Sequence, residues 1–300
     1  MQTDYRKYLS PEIVSKLKGM ELRARMVVEG FITGLHKSPY HGFSVEFAEH
    51  RQYMPGDPIR DIDWRVYAKT DRYYIKQYEE ETNLKAYILL DCSASMGYSS
   101  GATVHTKFDY ALTLAASLSY MMLKQRDAVG MVAFADKINH YLPPRSASGH
   151  MHNLLYRFSN LTTASTTDLA LPLHEMAERI KRRGLIILIS DLFDDPQRII
   201  SGLKHFRHRN HEVIVFQVLD PRERDFAFTG EAIFEDMETG ERITTSPWQI
   251  KKDYQKTFAE VSGLIAAECR QARVDYHLID SSMPFDKALY SFLAKRERLY

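Results

Sequence analysis

Residues 91–95 read Asp91-Cys92-Ser93-Ala94-Ser95, directly after the apolar run 86–90. Alternate residues of a turn can aim one carboxylate and two hydroxyls at a single point. Hard oxygen donors of that kind suit Mg²⁺, Mn²⁺ or Ca²⁺, with waters completing the shell. A second aspartate, Asp191, ends another apolar run at 185–190. Between them lies Thr162-Thr163-Ala164-Ser165-Thr166-Thr167-Asp168, a hydroxyl-rich loop before a helical segment, able to bring one more hydroxyl to the same point. Ser and Asp after strands and Thr before helices are also ordinary turn and cap residues. Spacing alone leaves both readings open.

Other chemistries are weaker. Gly97-Tyr98-Ser99-Ser100-Gly101 fits G-x-S-x-G, a motif that needs its serine on a sharp turn between strand and helix. Ser99 stands eight residues past Asp91, in a loop, and the downstream base His277 falls inside an apolar strand. An Asp-x-Asp phosphatase is excluded by Ser93, and a nucleotide enzyme by the lack of G-x-x-x-x-G-K-[ST]. His105, His140, His150 and His152 show no ligand spacing and read as surface histidines. For metal-assisted hydrolysis the nearby base is Asp168, which reads instead as the cap of the helix after it. A non-enzymatic binding module is expected; a metal-dependent or serine hydrolase is the alternative.

The elements that must position these residues alternate. Apolar runs at 86–90, 128–134, 185–190, 212–220 and 274–280 read as strands. Helical spacing is found at 106–124, 149–159, 169–183, 196–209, 248–272 and 284–296, with a hairpin at 226–245. Lys181-Arg182-Arg183-Gly184 reads as a helix C-terminus. Strands apolar throughout and alternating with helices predict an α/β fold, a doubly wound, mostly parallel sheet. In such sheets ligands bind at the carboxyl ends of the strands, where Asp91 and Asp191 fall. Residues 1–83 differ: a helix at 11–30, then short pieces dense in aromatics and charges. The expected division is 1–83, a mixed α/β N-terminal region, and 84–300, the main domain with a C-terminal extension.

The 300 residues carry 40 Lys+Arg and 39 Asp+Glu, so no whole-protein charge favours nucleic acid. The basic clusters at 179–183 and 204–209 each end a helix and read as solvated faces. Two cysteines cannot build a zinc cluster or a disulfide framework, and suit a reducing cytoplasm. No apolar stretch reaches the ~20 residues of a membrane helix, and the N-terminus lacks a signal-peptide core. A cytoplasmic protein without direct membrane insertion is expected.

The Asp-x-Ser-x-Ser string, the Thr loop and the later strand-end aspartate resemble the metal-ion-dependent adhesion site of von Willebrand factor A domains. The resemblance implies metal ligands at Asp91, Ser93 and Ser95, then Thr167, then Asp191. Residues 51–68, Arg51-Gln52-Tyr53-Met54-Pro55-Gly56-Asp57-Pro58-Ile59-Arg60-Asp61-Ile62-Asp63-Trp64-Arg65-Val66-Tyr67-Ala68, resemble the signature of the bacterial family called domain of unknown function 58. That resemblance implies action with a MoxR-type AAA+ ATPase in assembling or maturing other proteins. A partner's acidic residue would complete the metal shell. The 51–68 strip is expected to brace the domain, with Trp64 buried as its anchor; a partner-recognition surface is the alternative.

Overall fold

The computed structural model describes Pro11, Val14, Trp64, Tyr67, Ala68 and residues 19–35, 51–52, 71–75, 84–103, 105–147, 149–164, 168–228, 230–237 and 240–297. Helix α1 spans Met20–Leu35, and the two-residue strands β1 (Arg51–Gln52) and β2 (Tyr74–Ile75) pair antiparallel. The main sheet contains β3 (Lys85–Asp91), β4 (Ala128–Phe134), β5 (Ile138–Arg145), β6 (Leu185–Ser190), β7 (Glu212–Leu219) and β10 (Asp275–Asp280). Its order is β10-β7-β6-β3-β4-β5, parallel except for β5, which runs antiparallel to β4 at the edge. A separate hairpin joins β8 (Ala232–Glu235) to β9 (Arg242–Thr245).

Helices cover both faces, which is why the central strands are apolar along their length. One core joins the sheet to α1, α2 (Lys107–Lys124), α3 (His150–Ser159) and α8 (Asp286–Glu297). The other joins it to α4 (Ala170–Arg179), α5 (Pro196–His208) and α7 (Pro247–Gln271). A short helix, α6 (Pro221–Asp225), follows β7. Helix α2 is buried almost all round, because α1 packs on it through Ala24, Val27, Val28 and Phe31.

Four expectations change. Strand β5 was hidden by its two prolines and mixed polarity; an edge strand tolerates both because one side of its ladder is unpaired. Helix α4 stops at Arg179, so Gly184 is no helix cap. A Cβ there would stand 2.5 Å from the Lys85 carbonyl oxygen, so glycine lets β6 start beside β3. His105 and His150 are buried, not surface, residues. The His150 Nε2 lies 2.7 Å from the Val129 carbonyl oxygen and ties α3 to β4.

Trp64 is the fourth. It is 55% exposed, edge-on to Tyr67, which stacks on Tyr73 at 4.5 Å. Residues 53–63, 65–66, 69–70 and 76–83 lie outside the described ones, so the rest of the brace expectation is untouched. Trp64→Ala is expected to cost under about 1 kcal/mol in urea unfolding, since no core cavity opens. A loss of about 3 kcal/mol would show that the ring is packed after all.

Candidate metal centre

Asp91 is the last residue of β3 and is fully buried. Parallel pairing sets Leu90 of β3 opposite Ile189 of β6, so the next residues, Asp91 and Ser190, fall side by side. The Ser190 hydroxyl donates to Asp91 Oδ2 at 2.6 Å and accepts from the Leu192 amide at 2.9 Å. The Ser93 amide donates to Asp91 Oδ1 at 2.8 Å. That bond turns the chain so that Ser93 Oγ and Ser95 Oγ stand 3.0 Å apart. A 3₁₀ turn, Ser95–Gly97, follows and leads toward α2.

Asp191 sits one residue beyond β6 and is also buried. Its Oδ1 accepts from the Phe193 amide at 3.2 Å. Gln217 of β7 donates to its carbonyl oxygen at 2.8 Å. Leu192 takes a left-handed backbone, φ 57°, a costly conformation for a branched side chain that these bonds hold in place.

The second oxygen of Asp191 faces a residue that sequence reasoning missed. Lys107 Nζ lies 2.7 Å from Asp191 Oδ2 and 2.8 Å from Glu223 Oε1 of α6. The lysine side chain has no solvent exposure. Its ammonium stands 4.6 Å from the centre of the Phe193 ring. A capping box at Thr106 and Asp109 fixes the start of α2 and so the position of Lys107. Pairs 84 and 116 residues apart leave no local pattern, so no sequence signal pointed to them.

Electrostatics follow from this burial. Burial first, and the Asp191 carboxylate second, push Asp91 up to about 7. Burial works to lower Lys107, but Asp191 and Glu223 more than offset it, so the ammonium is held above the ordinary lysine range. Burial raises Glu223 despite the lysine. Burial pushes the Cys92 thiol up to about 12, so it is no nucleophile.

Of the five expected ligands, the structure brings Asp91, Ser93, Ser95 and Asp191 to the ends of two adjacent strands. Thr167 lies outside the described residues. Both flanks of it are anchored: the Ala164 amide donates to the Cys92 carbonyl at 2.6 Å, and Asp168 caps α4. Asp168 also pairs with Arg198 at 2.7 Å and is committed to that structural role. Ser99 is exposed, its Oγ accepting from the Gly101 amide, while His277 stacks on Phe216 in the sheet.

The donor set fits a hard divalent ion. Ser93 Oγ and Ser95 Oγ share a hydrogen bond at 3.0 Å, a separation that neighbouring oxygens of an octahedral shell with bonds of ~2.1 Å also take, about 3.0 Å. Asp91 adds a buried carboxylate whose charge is under-compensated. No three His, Cys, Asp or Glu side chains converge as metal ligands among the described residues. Phe193 and Met237 are 41% and 48% exposed. Met237, from the β8–β9 turn, reaches within ordinary contact of where a Gly97 Cβ would be, so the hairpin borders the centre.

An uncharacterised Mycobacterium tuberculosis protein, Rv1480, is 28% identical over 233 residues, 77% of this chain and 72% of the relative. An aerotolerance-related membrane protein from Bacteroides fragilis shares the fold at TM-score 0.50 and 18% identity, over 71% of this chain and 99% of that one. BatB from Bacteroides thetaiotaomicron gives a TM-score of 0.48 at 17% identity, over 72% and 100%. No described helix is long and apolar enough to cross a membrane. A family model described as "Protein of unknown function DUF58" matches residues 49–262. The chain belongs to the DUF58 family, and its strand-end centre stands on a six-stranded, mostly parallel sheet with helices on both faces.

Proposed function

We propose that this chain is a non-enzymatic, metal-dependent protein-binding module that acts with a MoxR-type AAA+ ATPase in assembling or maturing other proteins. The observation that carries the reading is the pair of serine hydroxyls 3.0 Å apart beside a buried, under-compensated aspartate. A bound Mg²⁺ or Mn²⁺ would supply an electrophilic anchor for an acidic residue of the partner. Ser93 and Ser95 would hold the ion as neutral donors and leave its positive charge largely unspent. Asp91 and Asp191 balance part of that charge from buried positions, and Thr167 is the fifth proposed ligand. Phe193 and Met237 give the rim apolar surface for the partner's neighbouring side chains. The two buried free thiols, Cys92 and Cys269, suit work in a reducing cytoplasm.

The test is capture of a purified MoxR-type ATPase by the immobilised chain. Retention in Mg²⁺, release by chelator and loss in Asp91→Asn are the expected results. Equal retention with and without Mg²⁺ would remove the metal from the account. Ester turnover lost in Ser99→Ala and kept in Asp91→Asn would replace the binding module with a hydrolase.

A further inference from the structure

Lys107 is not one of the ligands that the fold resemblance implies, yet it is the most deeply placed charge beside them. Its Nζ touches Asp191 Oδ2 at 2.7 Å and Glu223 Oε1 at 2.8 Å, with no solvent at the side chain. It cannot swing away: it is the first residue of α2, its helix start is fixed by the capping box, and Phe193 covers its ammonium at 4.6 Å. The side chain is therefore a fixed cation built into the wall of the centre.

Formal charge sets what this does. Taken by themselves, Asp91, Asp191 and Glu223 contribute three negative charges and Lys107 one positive, so these four side chains sum to −2 when ionised; Asp220, capped to Glu223, and Arg222 lie next to them. A divalent ion bound there faces −2 where it would otherwise face −3, so Lys107 leaves more of the ion's field for a further anionic group. Without Lys107 the same cluster would hold −3 and attract cations far more strongly; without Glu223 it would hold −1 and attract them less. We infer that Lys107, paired between Asp191 and Glu223, is the residue that sets the divalent-cation affinity of the centre, holding it down so that a bound ion keeps charge for an acidic partner group. This rests on the metal-dependent reading above. Lys107 acts through Asp191 and touches no ion itself, so it is a positioning residue.

The direction of the effect separates this role from plain support of the fold. Lys107→Met and Glu223→Gln break the same ion pair, so a purely structural disturbance would weaken Mn²⁺ binding in both. The charge account moves them oppositely. Mn²⁺ titration, by calorimetry or by the free-ion paramagnetic resonance signal, gives the dissociation constants for the full chain. Lys107→Met should bind Mn²⁺ roughly tenfold more tightly than the wild type, or better, and Glu223→Gln roughly tenfold more weakly, as unit charges this close to a divalent ion require. Asp91→Asn is the control that reports the centre itself. Wild-type binding abolished by Asp91→Asn, together with shifts of the same sign or none in the two variants, overturns the role of Lys107 and leaves the metal centre standing. No Mn²⁺ binding by wild type and Lys107→Met alike overturns both. Should Lys107→Met fail to fold, Glu223→Gln decides alone: unchanged or tighter binding contradicts the inference.

Discussion

Lys107→Ala is expected to lower the stability of the metal-free protein by about 3–5 kcal/mol, the usual loss when one partner of a buried ion pair is removed. The cause is desolvation. Asp191 and Glu223 are 2% and 14% exposed at the side chain, and neither can recover water when the ammonium goes. The lysine stem also fills space between α2 and the strand ends, so truncation adds a cavity. Lys204, which pairs with Glu268 at 2.7 Å but is 43% exposed, provides the contrast. Lys204→Ala should cost under about 1 kcal/mol, because water replaces the partner. Urea unfolding of the two variants checks both values. Equal, small losses would mean that the Lys107 site is wet and that its charge is screened.

The second large effect is on pH dependence. Burial and Asp191 hold Asp91 at about 7, against an ordinary value of 3.8. The folded chain therefore binds a proton at Asp91 that the unfolded chain has already released. That contribution is fully present below 3.8 and is lost as pH rises through about 7. The difference corresponds to roughly 4 kcal/mol at full loss. Metal-free protein should become less stable between pH 4 and 7.5 by an amount that Asp91→Asn abolishes, since asparagine keeps the shape and cannot ionise. Saturating Mn²⁺ should flatten the same slope, because an ion favours the carboxylate that the proton otherwise masks. Denaturant midpoints at four or five pH values measure it. A wild-type slope that Asp91→Asn leaves intact would assign the dependence to other groups.

Much of this fold could be read before any coordinates. The runs at 86–90, 128–134, 185–190 and 212–220 are largely apolar on both faces and alternate with helical segments, the pattern of a covered parallel sheet; the strands lie where those runs lie. The proposed ligands Asp91, Ser93 and Ser95 could be singled out because they are close in sequence, so local turn geometry brings them together. What was not legible is long-range or edge-placed. Strand β5 carries two prolines and an irregular burial pattern, and its pairing shifts register twice. Lys107 and Ser190 look like an ordinary helix residue and an ordinary strand end; their roles come from which strands become neighbours. Trp64 misled for the opposite reason: a large ring usually seeks the core, and here it stands 55% exposed against Tyr67.

The central claim is that Ser93 and Ser95, beside Asp91, hold a divalent ion. Crystals soaked in Mn²⁺ and measured near the manganese absorption edge test it most directly, because anomalous scattering locates the metal without reference to any side chain. The account predicts an anomalous peak bonded to both serine hydroxyls at the end of β3, absent in crystals of Asp91→Asn. At saturating Mn²⁺, a map with no peak there, or with its peak elsewhere on the chain, would contradict it.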